Sequence, residues 1–233
     1  MKTKTVLSFL LFIAFASSIL ANQTEVITIQ KIGGRPWLIK PEGMPFFAHG
    51  ITHARNLSSK SDIDKFSKAC KEIGFNSYGY GCPESLRKDM PFIESWNHLV
   101  FGERFAFNTL VPEVVKEMLP YVDAIAIQPP FQSKFPKEKF DEIYKLTGKP
   151  ILICDFAVRF KDGKKDIRSW KPETNSVTAG KAYAEYIQAA FKTDYILGTF
   201  WCNPMDSQKG FGKEGIKQGF FNNELSPRPG LHQ

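Results

Sequence analysis

The chain has 233 residues, with 31 lysines and arginines against 24 aspartates and glutamates. That length suits one domain with a single sizeable core. The basic residues are scattered rather than gathered into a patch and no nucleic-acid-binding motif accompanies them, so nucleic acid has no support as a partner.

The start of the chain predicts export. Lys2 and Lys4 precede an apolar run from Val6 to Ala16, and small residues follow at Ser17, Ser18 and Ala21. Charged, apolar and small segments in that order make a secretory signal peptide over residues 1–21. The apolar run is shorter than the roughly 20 residues a membrane span needs. The expected product is a single domain, residues 22–233, secreted or periplasmic and free of the membrane after cleavage. Its four cysteines, Cys70, Cys82, Cys154 and Cys202, allow disulfides in an exported protein but do not require them. None has metal-site spacing, and neither metal nor cofactor is called for. Cys154 and Cys202 lie inside apolar runs, where a buried thiol is the plain reading.

Val26 to Ile32 alternates apolar and polar residues, Gly33-Gly34 follows, and Pro36 to Ile39 resumes the run, which predicts a β-hairpin. The texture then changes. Phe46 to Ile51 is a short strand, Asp62 to Ile73 a helix closed by Gly74, and Phe75 to Tyr80 a second strand. Leu99 to Phe101 reads as a strand, Pro112 to Leu119 as a helix, and Val122 to Ile127 as a strand. Pro136 to Leu146 is a helix before Gly148, Ile151 to Phe156 a strand, Thr178 to Lys192 a long helix, and Ile196 to Trp201 the last strand. Wholly apolar strands between amphipathic helices indicate a parallel sheet covered on both faces, either doubly wound or closed into a barrel. No glycine-rich phosphate loop follows any strand, which weakens the nucleotide-binding version.

Six core strands result, near residues 46, 75, 99, 122, 151 and 196. A complete (β/α)8 barrel has eight, in about 250 residues. The shortage falls between Cys82 and His98, too short a stretch for a strand, a helix and another strand.

In a parallel barrel the reactive groups sit just past the carboxyl ends of the strands. Those positions offer His49, Thr52 and His53, then Tyr78, Tyr80 and Glu84, then Glu103 and Arg104. Later strands add Gln128, Asp155, Arg159, Trp201, Asn203 and Asp206. Polar groups among aromatic faces suit a sugar, whose hydroxyls need hydrogen bonds and whose ring stacks on Trp or Tyr.

These residues carry a resemblance. GRPWLIKPEGMPFFAHGITHARN (34–56) is similar to the opening of β-agarase-like members of the retaining TIM-barrel glycoside hydrolase clan, clan A. WNHLVFGERF (96–105) resembles their fifth barrel strand, YVDAIAIQPPF (121–131) the sixth, TGKPILICDFAVRF (147–160) the seventh and YILGTFWCNPMDS (195–207) the eighth. The resemblance implies an α/β fold of (β/α)8 TIM-barrel type, incomplete between 82 and 98, with about two βα units deleted. It implies a carbohydrate-directed protein acting on or binding a β-linked, agarose-like polysaccharide, by a retaining mechanism if active. The seventh strand delivers the clan's nucleophile, which makes Asp155 the nucleophile candidate. The clan's acid is a Glu after Asn at the end of the fourth strand, and no Asn-Glu pair occurs between Tyr80 and Trp96.

Two departures therefore stand out: the acid is missing, and Asp155 occupies a place where most of the clan carries the longer Glu. Glu103 is the substitute acid to consider, although Arg104 beside it suggests an ion pair; Glu84 is a weaker substitute. Asp155 itself has a structural alternative, capping a helix or pairing with Arg159. For sugar contacts the candidates are His53, Tyr80, Arg104, Gln128, Trp170, Trp201 and Asn203, with Trp201 read as a platform at its strand's end. Hydrolase, catalytically inactive carbohydrate-binding remnant and truncated gene product all remain open at this level.

Overall fold

The computed structural model describes residues 26–54, 57, 59–93, 119–129, 132–161, 172–206, 218–222 and 225–231. The expected leader, the strand near 99 and most of the helix after Pro112 lie outside them. The hairpin is present: β1 (Thr28–Ile32) pairs antiparallel with β2 (Arg35–Ile39), and β3 (Pro45–Phe46) adds to β2. The β1–β2 turn places Gly33 at φ 61° and Gly34 at φ 85°, a left-handed pair that matches the twist of the flanking strands.

The parallel elements follow in the expected alternation. They are β4 (Ala48–Thr52), α1 (Lys60–Glu72), β5 (Ser77–Tyr78), β6 (Ile125–Ile127), α2 (Lys137–Thr147), β7 (Ile151–Phe156), α3 (Ser176–Phe191) and β8 (Ile196–Cys202). Local chemistry fixes the helix ends. The Ser59 hydroxyl accepts the Asp62 N–H at 3.0 Å, and Asn175 forms a reciprocal capping box with Thr178. Gly148, at φ 65°, closes α2.

The sheet order is β5-β4-β8-β7-β6, all pairs parallel. The first parallel strand is thus hydrogen-bonded to the last. That neighbourhood of first and last strands is the order found in a (β/α) barrel rather than a doubly wound sheet, with β5 and β6 as the outer strands among the described residues. The short stretch after Cys82 holds what its length permits. Glu84–Lys88 forms a single 3-10 turn. Phe92 then makes one parallel bridge to Tyr78, with the Tyr78 N–H donating to the Pro91 carbonyl at 2.8 Å and the Ile93 N–H to the Tyr78 carbonyl at 2.8 Å.

Two apolar layers result. One face of the sheet packs on the helices through Ile51, Ile151, Ile153, Phe156, Ile196 and Trp201, against Phe66 of α1, Phe140 of α2 and Tyr183 and Tyr186 of α3. The inner face carries Ala48, Leu152, Cys154 and Phe200, plugged from below by Leu38 of the hairpin. Phe200 needs its neighbours small: a Cβ on Gly50 would lie 2.3 Å from the Phe200 ring. All four cysteines are free of disulfides.

Candidate functional site

Strand parity decides which side chains reach the site. Paired residues on neighbouring strands point the same way, so the register Ile51↔Trp201 and Thr52↔Cys202 sends Trp201 toward the helices and Cys202 inward. Trp201 is accordingly fully buried, packed on Phe156, Tyr183 and Phe220, with its indole N–H donated to the Gln218 carbonyl at 3.0 Å. The sugar-platform reading of Trp201 is corrected: an end-of-strand position was inferred without its parity.

A bulge supplies the central group. Ile153 pairs with Thr199 and Phe156 with Trp201, so β7 carries one residue more than β8 across this interval. The extra residue lets Phe156 keep its place in the helix-side layer while Asp155, at φ 56°, turns to the mouth of the inner face. Bulges of this kind re-aim a side chain next to functional sites. His53 at φ 60° and Asn203 at φ 58° adopt the same left-handed conformation just past β4 and β8. Backbone bonds brace these strand ends: the His53 N–H donates to the Tyr80 carbonyl at 3.0 Å, the Gly79 N–H to Ile51 at 2.7 Å and the Asn203 N–H to Thr52 at 3.2 Å. Non-glycine residues held there cost of order 1–3 kcal/mol each and persist only where the surroundings determine them.

Three side chains converge on Asp155. The Thr52 hydroxyl donates to Oδ1 and the Tyr80 hydroxyl to Oδ2. His53 Nε2 lies 2.9 Å from Oδ2. Thr52 has a second acceptor, the Trp201 carbonyl, at 3.2 Å. Burial alone would raise the Asp155 carboxyl; the bond and charge of His53, with the two hydroxyls, outweigh it and hold the group below the ordinary aspartate value. Burial and the adjacent carboxylate push the Tyr80 phenol far above its usual range, so Tyr80 remains a donor. The Cys82 thiol is pushed up to about 11 and the Cys154 thiol to about 12, both chiefly by burial.

Of the sequence-derived residues, the structure brings together Asp155, His53 and Tyr80. Asn203 borders them through its bond to Thr52. Gln128 is exposed at the end of β6. Glu103, Arg104 and Trp170 lie outside the described residues. Arg159, weighed as the alternative partner of Asp155, donates from Nε to Gln218 Oε1 at 3.1 Å. Glu84 sits on the 3-10 turn with its side chain 82% exposed, 3.7 Å from Arg87. Asp206 is engaged by Arg228 and by the Gly219 N–H at 3.0 Å. His49 faces the helices, bonded to Tyr183 and to the Gly74 carbonyl. Two contributors were not among the candidate site residues: Thr52, offered only as a strand-end position, and Cys202, read as a buried thiol; the two-residue alternation along β4 and β8, anchored on buried Ile51, is the signal that finds them.

No model of a known family matches the chain. Over 171 residues it is 23% identical to β-agarase B of Vibrio sp. (strain JT0107), a match that covers 73% of this chain and 17% of that protein. Among solved structures, the agarase AgWH50C superposes with a TM-score of 0.71 at 12% identity, over 90% of this chain and 62% of that one. A β-glucuronidase of an uncultured Clostridium sp. gives 0.60 at 14% identity, over 88% of this chain and 52% of that one. The chain thus spans a fraction of the length of each relative. It is β-agarase-like in sequence, and its fold, a parallel α/β sheet with the first strand beside the last, is of the TIM-barrel type its glycosidase neighbours share.

Proposed function

We propose that this protein engages a β-linked, agarose-like polysaccharide at the mouth of its barrel, as a glycoside hydrolase-like binder without turnover. The state of the Asp155 carboxylate carries this reading. A carboxylate has about four lone-pair sites. Oδ2 uses two, on His53 and Tyr80, and Oδ1 uses one, on Thr52. The side chain is 5% exposed, and aspartate is a methylene shorter than the glutamate it replaces. Retaining hydrolysis also needs a second carboxyl group about 5–5.5 Å away. The sequence offers no Asn-Glu pair between Tyr80 and Trp96 to supply it. His53, with its side chain 20% exposed, and Tyr80 and Asn203 beside it are the groups proposed to meet sugar hydroxyls, with Gln128, Arg104 and Trp170 as further candidates. A polymer of this kind is met outside the cytoplasm, in keeping with the leader expected at residues 1–21 and a secreted or periplasmic location.

Hydrolysis is the second reading, favoured by one observation: Asp155 is held ionised, as a nucleophile must be. Glu103 would then serve as acid. Electrophoresis through agarose and through polyacrylamide, beside reducing-sugar release from agarose, separates the two. Retardation in agarose without sugar release supports the binder. Release that disappears in Asp155→Asn would overturn it in favour of the hydrolase.

A further inference from the structure

The inner face of the strand ends carries a donor set that sugar recognition does not explain. A ring nitrogen of His53, a carboxylate oxygen of Asp155 and Cys202 Sγ all lie within 4.8 Å of one another. Each comes from a different strand end, β4, β7 and β8, and the ends of β4 and β8 are braced. Thr52 pairs with Cys202 across β4 and β8, and the backbone N–H groups of His53 and Asn203 bond to neighbouring strands. The geometry points to a binding site for a borderline-soft divalent cation, zinc foremost, held by His53, Asp155 and Cys202. This inference does not depend on the sugar reading.

The chemistry of the three donors selects the ion. An imidazole, a carboxylate and a thiolate together suit zinc, whereas an all-oxygen set would suit calcium or magnesium. Bond lengths of about 2.0–2.3 Å around a tetrahedral ion place its ligands roughly 3.3–3.8 Å apart. Side-chain rotation of an ångström or so therefore closes the set without moving the strands. The supporting shell is already in place. Metal-bound carboxylates are themselves hydrogen-bonded, and here the Thr52 and Tyr80 hydroxyls hold Asp155. Three protein ligands leave a fourth position open to water or to a ligand oxygen, and the 20% exposure of the His53 side chain gives the ion an entry path. Proton balance is simple. Binding releases the Cys202 thiol proton to solvent, and Nε2 of His53 coordinates as the unprotonated nitrogen of a neutral imidazole whose one proton is on Nδ1.

Cobalt(II) is the probe of choice, added to the full chain kept reduced and freed of metal by chelation. A thiolate-to-cobalt charge-transfer band in the near ultraviolet, the strong visible bands of a four-coordinate ion, and loss of both on adding one equivalent of zinc are expected. Cys202→Ser should abolish the charge-transfer band, whereas Cys82→Ser, made at the mouth but outside the trio, should keep it. Tyr80→Phe should weaken zinc by roughly 10–100-fold, the usual loss for an outer-shell group, and His53→Gln by more. If Cys202→Ser does not fold, the His53→Gln titration decides alone. No charge-transfer band in the parent protein, a band surviving in folded Cys202→Ser, or unchanged zinc affinity in His53→Gln would each overturn the site.

Discussion

Replacing Asp155 by alanine should destabilise the fold by about 3 kcal/mol at neutral pH. Hydrogen bonds to a charged group contribute roughly 1.5–3 kcal/mol each, and Asp155 accepts three. They are not lost equally. Thr52 retains the Trp201 carbonyl at 3.2 Å, and the part-exposed His53 meets water, so the unpaired Tyr80 hydroxyl bears most of the loss. Alanine at φ 56° keeps the left-handed strain that Asp155 already bears and tolerates it somewhat less well, while relief from burying a charge offsets part of the total. Against a total stability of about 5–15 kcal/mol, urea denaturation reads such a change easily. The acid limb supplies a second check. The folded carboxyl titrates below its unfolded value of about 3.9, so its contribution is present above that pH and is lost as pH falls through the lower folded value. The gap between parent and Asp155→Ala should hold steady from pH 7 to about pH 4 and narrow below it. A loss under about 0.5 kcal/mol, or one as large at pH 3 as at pH 7, would refute this account of the site.

Gly180→Ala should destabilise the protein although alanine is the better helix former by about 1 kcal/mol, because its Cβ would fall 1.5 Å from the Gly230 carbonyl oxygen; a raised melting temperature would count against the packing of the tail on α3. Gly50→Ala should lower stability by about 1–3 kcal/mol through overpacking on Phe200, and pairing it with Phe200→Leu should recover part of the loss, a coupling that a double-mutant cycle measures. Burial lowers the His49 pKa and the Gly74 carbonyl only partly restores it. Its folded value therefore lies below the unfolded value of about 6.5, and stability should fall as pH drops through that value, by at most about 1.4 kcal/mol per unit. An equal decline in a His49→Gln variant would assign the effect elsewhere.

The elements were legible in the sequence because their signals are local. Gly33-Gly34 marks the hairpin, Gly148 stops α2, and the apolar runs at 151 and 196 are buried along their whole length, as strands covered on both faces must be. The helix expected from Thr178 begins two residues earlier, at Ser176, since Asn175 caps it. Asp155, His53 and Tyr80 were recoverable from their places at strand ends. What the sequence hid was register. The bulge in β7 depends on pairing with β8, and the orientation of Trp201 depends on counting alternation from a residue of known burial, which only the packed structure identifies. Cys202, by contrast, stood in the apolar run where a buried thiol was expected and also reaches the Asp155 cluster. One position serves both readings because the last residue of a strand belongs at once to the core below and the mouth above.

The pairing of β4 with β8 has a consequence for how the molecule comes into being. Thr52 bonds to Asp155 across 103 residues of sequence and to Trp201 across 149. Contacts so distant along the chain carry a loop-closure cost that must be met before they stabilise anything. During synthesis the hairpin and β4 emerge long before β8 exists, and until then the edge of β4 that β8 will cover stays open. The donors around Asp155 are assembled by the same event that pairs β4 with β8. Their formation therefore reports the pairing of the first parallel strand with the last rather than any earlier collapse, and a nascent chain released before residue 202 carries His53 and Tyr80 without the strand that locks them in place.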